Sequence, residues 1–293
     1  MKKNYLYIVA ALLLGACSEE STLDIAGMFS PNGEVVNTRF EQSVEYNQSR
    51  GDISLDMGAD QYIVYVCTDS HVTRDKHRNL DCFISRYRAE TAPKVAIHLG
   101  DVIDAQKNLP CADSIIHFAG QTSADTVFVT PGNHDIYFKQ WQEYRSFFKT
   151  GTYWFETRNG KKKLDLFICL DSAEAELGDK QTAWLRNLLE TKSKEGYRHI
   201  TVFTHTHLWK LDGSQGHTSN YAIETTYELT SLFAQYGVEY VWSGHQHARQ
   251  SVIFKNVNYL VLNATQDTEK GQSYMTARMG EDIVYHHIDY PAL

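Results

Sequence analysis

The feature that most constrains this 293-residue chain is a recurrent local pattern: a short apolar run that stops abruptly at Asp, Asn or His. Residues 62–67 lead into Asp69-Ser70-His71, and 95–99 into Gly100-Asp101-Val102-Ile103-Asp104. Residues 126–129 lead into Gly132-Asn133-His134-Asp135. The run 200–203 ends near His205 and His207, and 238–242 delivers Gly244-His245-Gln246-His247. With 164–170 and 259–262, these runs are too short for helices and rich in β-branched or aromatic residues, so they read as buried strands. Between them lie stretches with helical spacing: Trp184, Leu185, Leu188 and Leu189 share a face, as do Leu229, Leu232, Phe233 and Tyr236. Strands alternating with helices predict an α/β fold. Closer strand spacing in the second half predicts additional antiparallel sheet. No internal repeat interrupts the chain, so residues 61–293 read as one catalytic domain.

In open α/β sheets ligands collect at the carboxyl ends of strands. Five strands each offering Asp, Asn or His there point to one shared site. Oxygen and imidazole donors without thiolate suit zinc, manganese or iron and exclude a cysteine-rich structural zinc site. Carboxylates and imidazoles that converge without a cation are costly to bury, so bound metal is the natural compensation. If Asp69-x-His71 and His245-x-His247 are extended, alternation turns both members of each pair to one side. His205 and His207 share a side by the same reasoning, with His205 favoured because it falls first after its strand. Gly100, Gly132 and Gly244 allow tight turns just past three of the strands. A formal charge of −8 argues against a protein that grips long nucleic acid, and no cluster of arginines advertises polyphosphate.

Taken in order, DxH, GDxxD, GNHD, a strand-end His and GHxH resemble the calcineurin-like metallophosphoesterase superfamily over about two thirds of the chain. Leu170-Asp171-Ser172 and residues 181–185 resemble the family's strand and helix between the third and fourth motifs. The resemblance implies a two-sheet β-sandwich flanked by helices. It also implies two divalent ions, of zinc, manganese or iron, that clamp a phosphoryl group and activate a water for in-line attack. One ion falls to Asp69, His71 and His247, the second to Asn133, His205 and His245, with Asp101 bridging. His134 is then the general acid for the leaving oxygen or a transition-state hydrogen-bond donor. Asp135 or Asp104 is its orienting partner. His207 stands where many relatives carry proline, and either competes for the metal or contacts substrate. Asp104 stands where purple acid phosphatase relatives carry tyrosine, which implies a colourless or weakly coloured centre. The implied substrates are small-molecule or lipid phosphate esters, monoester or diester, faced by the polar loop 208–223. The alternative is a metal-containing surface lipoprotein that binds without turnover.

The N terminus has a different logic. Lys2 and Lys3 precede an apolar stretch, 5–14, that is too short to span a bilayer comfortably, and Gly15-Ala16 follow. This is the layout of a signal peptide, residues 1–16, and Leu14-Gly15-Ala16-Cys17 resembles a bacterial lipobox with Cys17 as the lipidated first residue. Removing the two leader lysines takes the formal charge from −8 to −10. Residues 17–60 read as a lipidated cysteine, a polar tether and a lead-in. The expected location is outside the cell interior, anchored to a bacterial membrane, with the outer membrane or cell surface suggested by Ser18-Glu19-Glu20. The other cysteines, Cys67, Cys82, Cys111 and Cys169, form no CxxC pair and read as structural.

Overall fold

Alternation along the strands builds two sheets around one shared core. The computed structural model describes residues 35–73, 76–103, 127–137, 140–210, 216, 218, 220–267 and 271–291. The leader, Cys17, Asp104, Cys111 and residues 211–215, 217 and 219 of the proposed substrate loop lie outside them. The chain order begins α1 (Val36–Arg50), β1 (Ile53–Asp56), β2 (Tyr62–Cys67), α2 (Arg78–Ala89), β3 (Lys94–His98) and β4 (Val127–Val129). It continues with α3 (Asn133–Ile136), α4 (Trp141–Phe148), β5 (Tyr153–Asn159), β6 (Lys162–Leu170), α5 (Gly178–Lys192) and β7 (His199–Thr204). It closes with α6 (Ile223–Gln235), β8 (Tyr240–Ser243), β9 (Gln250–Phe254), β10 (Val257–Val261), β11 (Ser273–Met279) and β12 (Ile283–Asp289).

One sheet has the order β1-β5-β6-β7-β8-β10-β9 and the other β12-β11-β2-β3-β4. Inward residues of both sheets, among them Val64, Val66, Val95, Ile97, Phe155, Phe167, Phe203 and Trp242, form the central core. Phe128, Phe155 and Phe167 stack through it, with successive centroids 3.7 and 4.7 Å apart. Outward residues meet helices. Tyr65, Cys67 and Ala96 pack against Phe83 and Tyr87 of α2 and Trp141 and Tyr144 of α4. Leu166, Ile168, Val202 and Val241 pack against Leu185 and Leu189 of α5 and Leu229 and Phe233 of α6. Each such buried side chain contributes roughly 1.5–3 kcal/mol. The predicted α/β class, with two sheets flanked by helices, is what the chain forms, and the closely spaced second-half strands are antiparallel in the β9–β10 and β11–β12 pairs. Strands β2, β3 and β4 run parallel in one sheet, and β6, β7, β8 and β10 in the other. The site residues follow the carboxyl ends of these strands.

The stretch read as tether and lead-in is structured from residue 35 onward, so the folded body begins upstream of residue 61. Helix α1 buries Val36, Arg39, Phe40 and Ser43. That is i, i+3, i+4, i+7 spacing, but Arg and Ser occupy half the stripe, which hides the amphipathic signal. Arg39 donates through Nε to Asp171 Oδ2 at 2.8 Å, and through its terminal nitrogens to Asp171 Oδ1 at 3.3 Å and Glu174 Oε2 at 2.9 Å. Both Arg39 and Asp171 are buried, and the guanidinium lies 5.9 Å from the Trp141 ring centroid. Strand β1 then pairs in parallel with β5 at a sheet edge. Among the described residues no helix is long and apolar enough to cross a membrane.

Removing one member of a buried ion pair leaves its partner uncompensated, at a cost of about 3–5 kcal/mol. Arg39→Ala is therefore expected to lose on the order of that stability in urea unfolding. A variant as stable as wild type would mean that α1 is an appendage rather than part of the domain.

Candidate metal centre

Past the strand ends the backbone bends sharply. Asp69, His71, Asp101, His245 and His247 have φ of 50°, 40°, 52°, 73° and 54°. These are left-handed conformations, which Asp and His tolerate better than most residues but which still carry strain. The pairs Asp69/His71 and His245/His247 therefore converge through left-handed turns and not, as strand alternation suggested, through extended backbone. Glycine makes room for these bends. Gly100 has φ +92°, and a Cβ there would sit 2.6 Å from Gly132 N and 2.9 Å from His205 Nδ1. A Cβ on Gly244 would overlap Thr68 Oγ1 and press on Asp69 Oδ2.

Each carboxylate has one oxygen engaged by protein donors and one turned inward. Asp69 Oδ2 accepts Thr68 Oγ1–H at 2.6 Å and His245 N–H at 2.9 Å. Its buried Oδ1 makes no well-formed hydrogen bond; His247 Nε2 stands 3.2 Å away and His71 Nε2 4.0 Å. Asp101 Oδ1 accepts the His134 backbone N–H at 2.8 Å. Asp101 Oδ2 faces His205 Nε2 at 3.3 Å and His71 Nε2 at 3.8 Å.

The neutral donors are aimed as deliberately. His205 donates Nδ1–H to the Leu99 carbonyl at 2.8 Å, which directs Nε2 toward Asn133 Oδ1 at 3.0 Å. Asn133 donates Nδ2–H to Tyr137 Oη at 2.8 Å, so its carbonyl points to His205 and to His245 Nδ1, also 3.0 Å away. His71 and His247 meet Nε2 to Nε2 at 3.1 Å, and His245 Nδ1 lies 3.2 Å from His205 Nε2. Donors sharing one ion at ~2.1 Å and right angles stand ~3 Å apart, so these contacts have the spacing of ligands around a common cation. Two trios of donor atoms emerge, Asp69–His71–His247 and Asp101–His205–His245, and a third, His71–Asp101–His134, overlaps both. The unmatched inward oxygen and the oxygen-plus-imidazole donor set fit divalent metal.

Electrostatics agree. Burial opposes ionisation of Asp101, but His205 and its neighbouring imidazoles hold the carboxyl well below the usual range, and Asp101 in turn raises His205. Burial, reinforced by His205, pushes His245 down to about 3. The ionised carboxylates and the neutral His245 are in the states metal ligands require, whereas His205, raised by Asp101, would release its proton when a cation binds.

Three expectations need correcting or placing. Asp135 does not face His134: its Oδ1 accepts Val102 N–H at 2.9 Å and Ile103 N–H at 3.3 Å, and its Oδ2 accepts Gly132 N–H at 2.9 Å. It clamps two strand-end loops together, because three backbone donors outcompete one imidazole. Asp104, the other proposed partner, lies outside the described residues. His207 is buried, with its ring centroid 5.8 Å from that of His245, and joins none of the donor trios. The half-buried His134 ring packs edge-on against His71 at 4.7 Å. His98, the last residue of β3, staples the site: Gly100 N–H donates to its Nδ1 at 3.2 Å, its Nε2–H donates to Ser70 Oγ at 2.9 Å, and Ser70 donates to the Val102 carbonyl at 2.9 Å. Its signal in the sequence was a buried-strand position directly preceding a ligand loop.

The family model for calcineurin-like phosphoesterases matches residues 62–249, a span that begins with β2 and takes in every residue of the donor trios. The chain belongs to the calcineurin-like phosphoesterase family. Among curated proteins no significant match is found. Solved structures share the fold at low identity. A dimetal phosphatase from Danio rerio aligns with TM-score 0.58 and 13% identity over 77% of this chain and 95% of its own. GAP50, the anchor in the inner membrane complex of Plasmodium, aligns with TM-score 0.54 and 12% identity over 78% and 85%. A purple acid phosphatase from yellow lupin aligns with TM-score 0.53 and 13% identity over 79% of this chain but 52% of its own.

His98 supplies a pH test. Burial pushes its imidazole down to about 4, against about 6.5 in an unfolded chain. A depressed histidine contributes its stability above the unfolded value, and loses it as pH falls toward the folded one, because only the unfolded chain takes up the proton. The metal-free protein should therefore lose roughly 3 kcal/mol through this group between pH 6.5 and 4. Urea unfolding across that range should be flatter for His98→Gln than for wild type; equal slopes would refute a neutral, buried His98.

Proposed function

We propose that the chain is a dinuclear metal-dependent phosphoesterase acting on small-molecule or lipid phosphate esters. In this reading Asp69, His71 and His247 would hold one divalent ion, Asn133, His205 and His245 would hold the second, and Asp101 would serve both. The observation that carries it is Asp101 Oδ2, a single inward oxygen within reach of His71 on one side and His205 on the other. Family membership supports hydrolysis of phosphate esters, and the Danio rerio dimetal phosphatase shares the fold. Bound there, two divalent ions would supply Lewis-acid stabilisation of the phosphoryl group and lower the pKa of a nucleophilic water.

The chain's own residues do the rest. Asp69 and Asp101 hold negative charge at fixed atoms. Leu99 and Tyr137 fix which atoms of His205 and Asn133 face inward. His134 is tied to the cluster by its backbone N–H on Asp101 and carries a half-exposed imidazole beside His71. That imidazole donates a proton toward the departing ester oxygen, which general acid catalysis makes worth about 10²–10⁴-fold. The proposal includes export, with Cys17 lipidated.

The test reloads stripped protein with zinc, manganese or ferrous iron and assays p-nitrophenyl phosphate and bis-p-nitrophenyl phosphate in parallel. Metal-dependent turnover is expected, and the preferred ester separates monoesterase from diesterase chemistry. His134→Ala should cut turnover by about 10²–10⁴-fold while metal content stays at two ions. Two bound ions without turnover on either ester or on a panel of phospholipid and nucleotide esters would favour a binding protein instead. The anchor is tested separately by mass analysis of the N-terminal peptide: acyl chains on Cys17 are expected, and a mature N terminus elsewhere overturns it.

A further inference from the structure

The segment after β10 contains a group close to the centre that no motif of the family reading includes. Thr265 N–H donates to the Thr68 carbonyl at 2.8 Å, and Gln266 N–H to the Asp69 carbonyl at 2.9 Å. Asn79 Nδ2–H donates to the Gln266 carbonyl at 3.2 Å. Asp267 accepts the backbone N–H groups of Arg78 and Asn79 at 2.8 Å each, and so caps the start of α2, where His77 makes no side-chain cap. Gln266 is therefore pinned by its N–H to the loop that carries Asp69 and by its carbonyl to the first turn of α2. From that anchorage its half-buried side-chain amide reaches His247 Nδ1 at 2.9 Å.

The two ring nitrogens of His247 face different partners. Nε2 looks into the cluster, 3.1 Å from His71 Nε2 and 3.2 Å from Asp69 Oδ1. Nδ1 looks out at Gln266. The proton of a neutral imidazole sits on one nitrogen only, so the group facing Nδ1 decides whether Nε2 offers a lone pair. Gln266 Nε2 faces the ring here: it donates to Nδ1 and leaves the proton on Nε2, facing Asp69 Oδ1. A cation at Nε2 requires the opposite pattern, Nδ1–H donating to a carbonyl oxygen. A glutamine amide has donor and acceptor ends of nearly the same shape, and a half-turn of the amide exchanges them.

We propose that Gln266 is a positioning residue for His247 and works as an amide switch. It donates to Nδ1 when the site is metal-free, and it turns its Oε1 to accept Nδ1–H when a divalent ion is bound, fixing the imidazole with Nε2 inward. This rests on the ligand assignment proposed above for Asp69, His71 and His247. Partners of this kind typically set metal affinity by about 10–100-fold.

The experiment measures zinc affinity by competition with a chromophoric chelator, and counts bound ions, for wild type, Gln266→Met and Gln266→Glu. Methionine keeps the length and removes the acceptor. Glutamate accepts and cannot donate. Q266M should weaken one of two ions by about 10–100-fold and leave the other near wild type. Q266E should restore affinity to wild type or tighter, because a carboxylate accepts Nδ1–H without having to rotate. Nitrogen chemical shifts of His247 in the zinc-loaded wild type should report a protonated Nδ1. Q266M within twofold of wild type at both ions, or Q266E as weak as Q266M, overturns the switch while the ligand assignment stands. A wild-type chain that binds no zinc overturns both.

Discussion

Two buried carboxylates, Asp69 and Asp101, are the constraint from which the rest of the site follows. An ionised carboxylate out of water needs compensation, and a protein that supplies it entirely with hydrogen bonds has no use for a cation. Here each carboxylate is compensated by half. The outward oxygens take donors from Thr68, His245 and His134, while the inward oxygens face only imidazole nitrogens. The imidazoles of His205 and His247 are held from behind by the Leu99 carbonyl and the Gln266 amide. Such a cluster is unfavourable as it stands, and a divalent charge resolves it.

Holding that arrangement has a cost in the backbone. Five of the residues that form the donor trios adopt left-handed φ, where a typical penalty is of order 1–3 kcal/mol each. The surrounding packing makes this sustainable. The loops leave five strands whose positions are fixed by a continuous aromatic and aliphatic core, and they interlock through Asp135, His98 and Thr265. Rigid strands plus short strained loops give the positional precision that a multi-ligand centre requires.

Most of this was legible in the sequence because its causes are local. Short apolar runs ending in Asp, Asn and His marked β2, β3, β4, β7 and β8, and the carboxyl-end rule placed their polar residues at one edge. What escaped has equally physical reasons. Helix α1 hides because its buried stripe includes Arg39 and Ser43, whose burial depends on Asp171 and on the Gly151 N–H that donates to Ser43, far along the chain. Strands β1, β5, β9 and β12 carry many partly or fully exposed positions and so lack a long apolar run. Gln266 escaped although the same rule finds it: residues 259–262 read as a strand, β10 runs parallel to β8, and its carboxyl end opens onto the same edge. Reading Asp69-x-His71 as an extended pair was misleading because φ past a strand end is set by tertiary contacts, such as Gly244 against Thr68.

The latch at α1 has a consequence for how the chain is divided. Asp171, which Arg39 grips, ends the run that emerges from β6, and the next residue is Ser172. Ser172 Oγ accepts the backbone N–H groups of His205 at 3.2 Å and Thr206 at 2.9 Å, and Thr206 Oγ1–H donates back to the Ser172 carbonyl at 2.8 Å. Asp171 N–H itself donates to Gln181 of α5, whose amide returns a bond to the Asp171 carbonyl. The guanidinium that neutralises Asp171 is therefore one residue away from the loop that presents His205. A domain cut to begin at residue 61 would keep every motif residue and still bury an uncompensated carboxylate beside that loop. The N-terminal helix belongs to the energetics of the centre although it contributes no side chain to it.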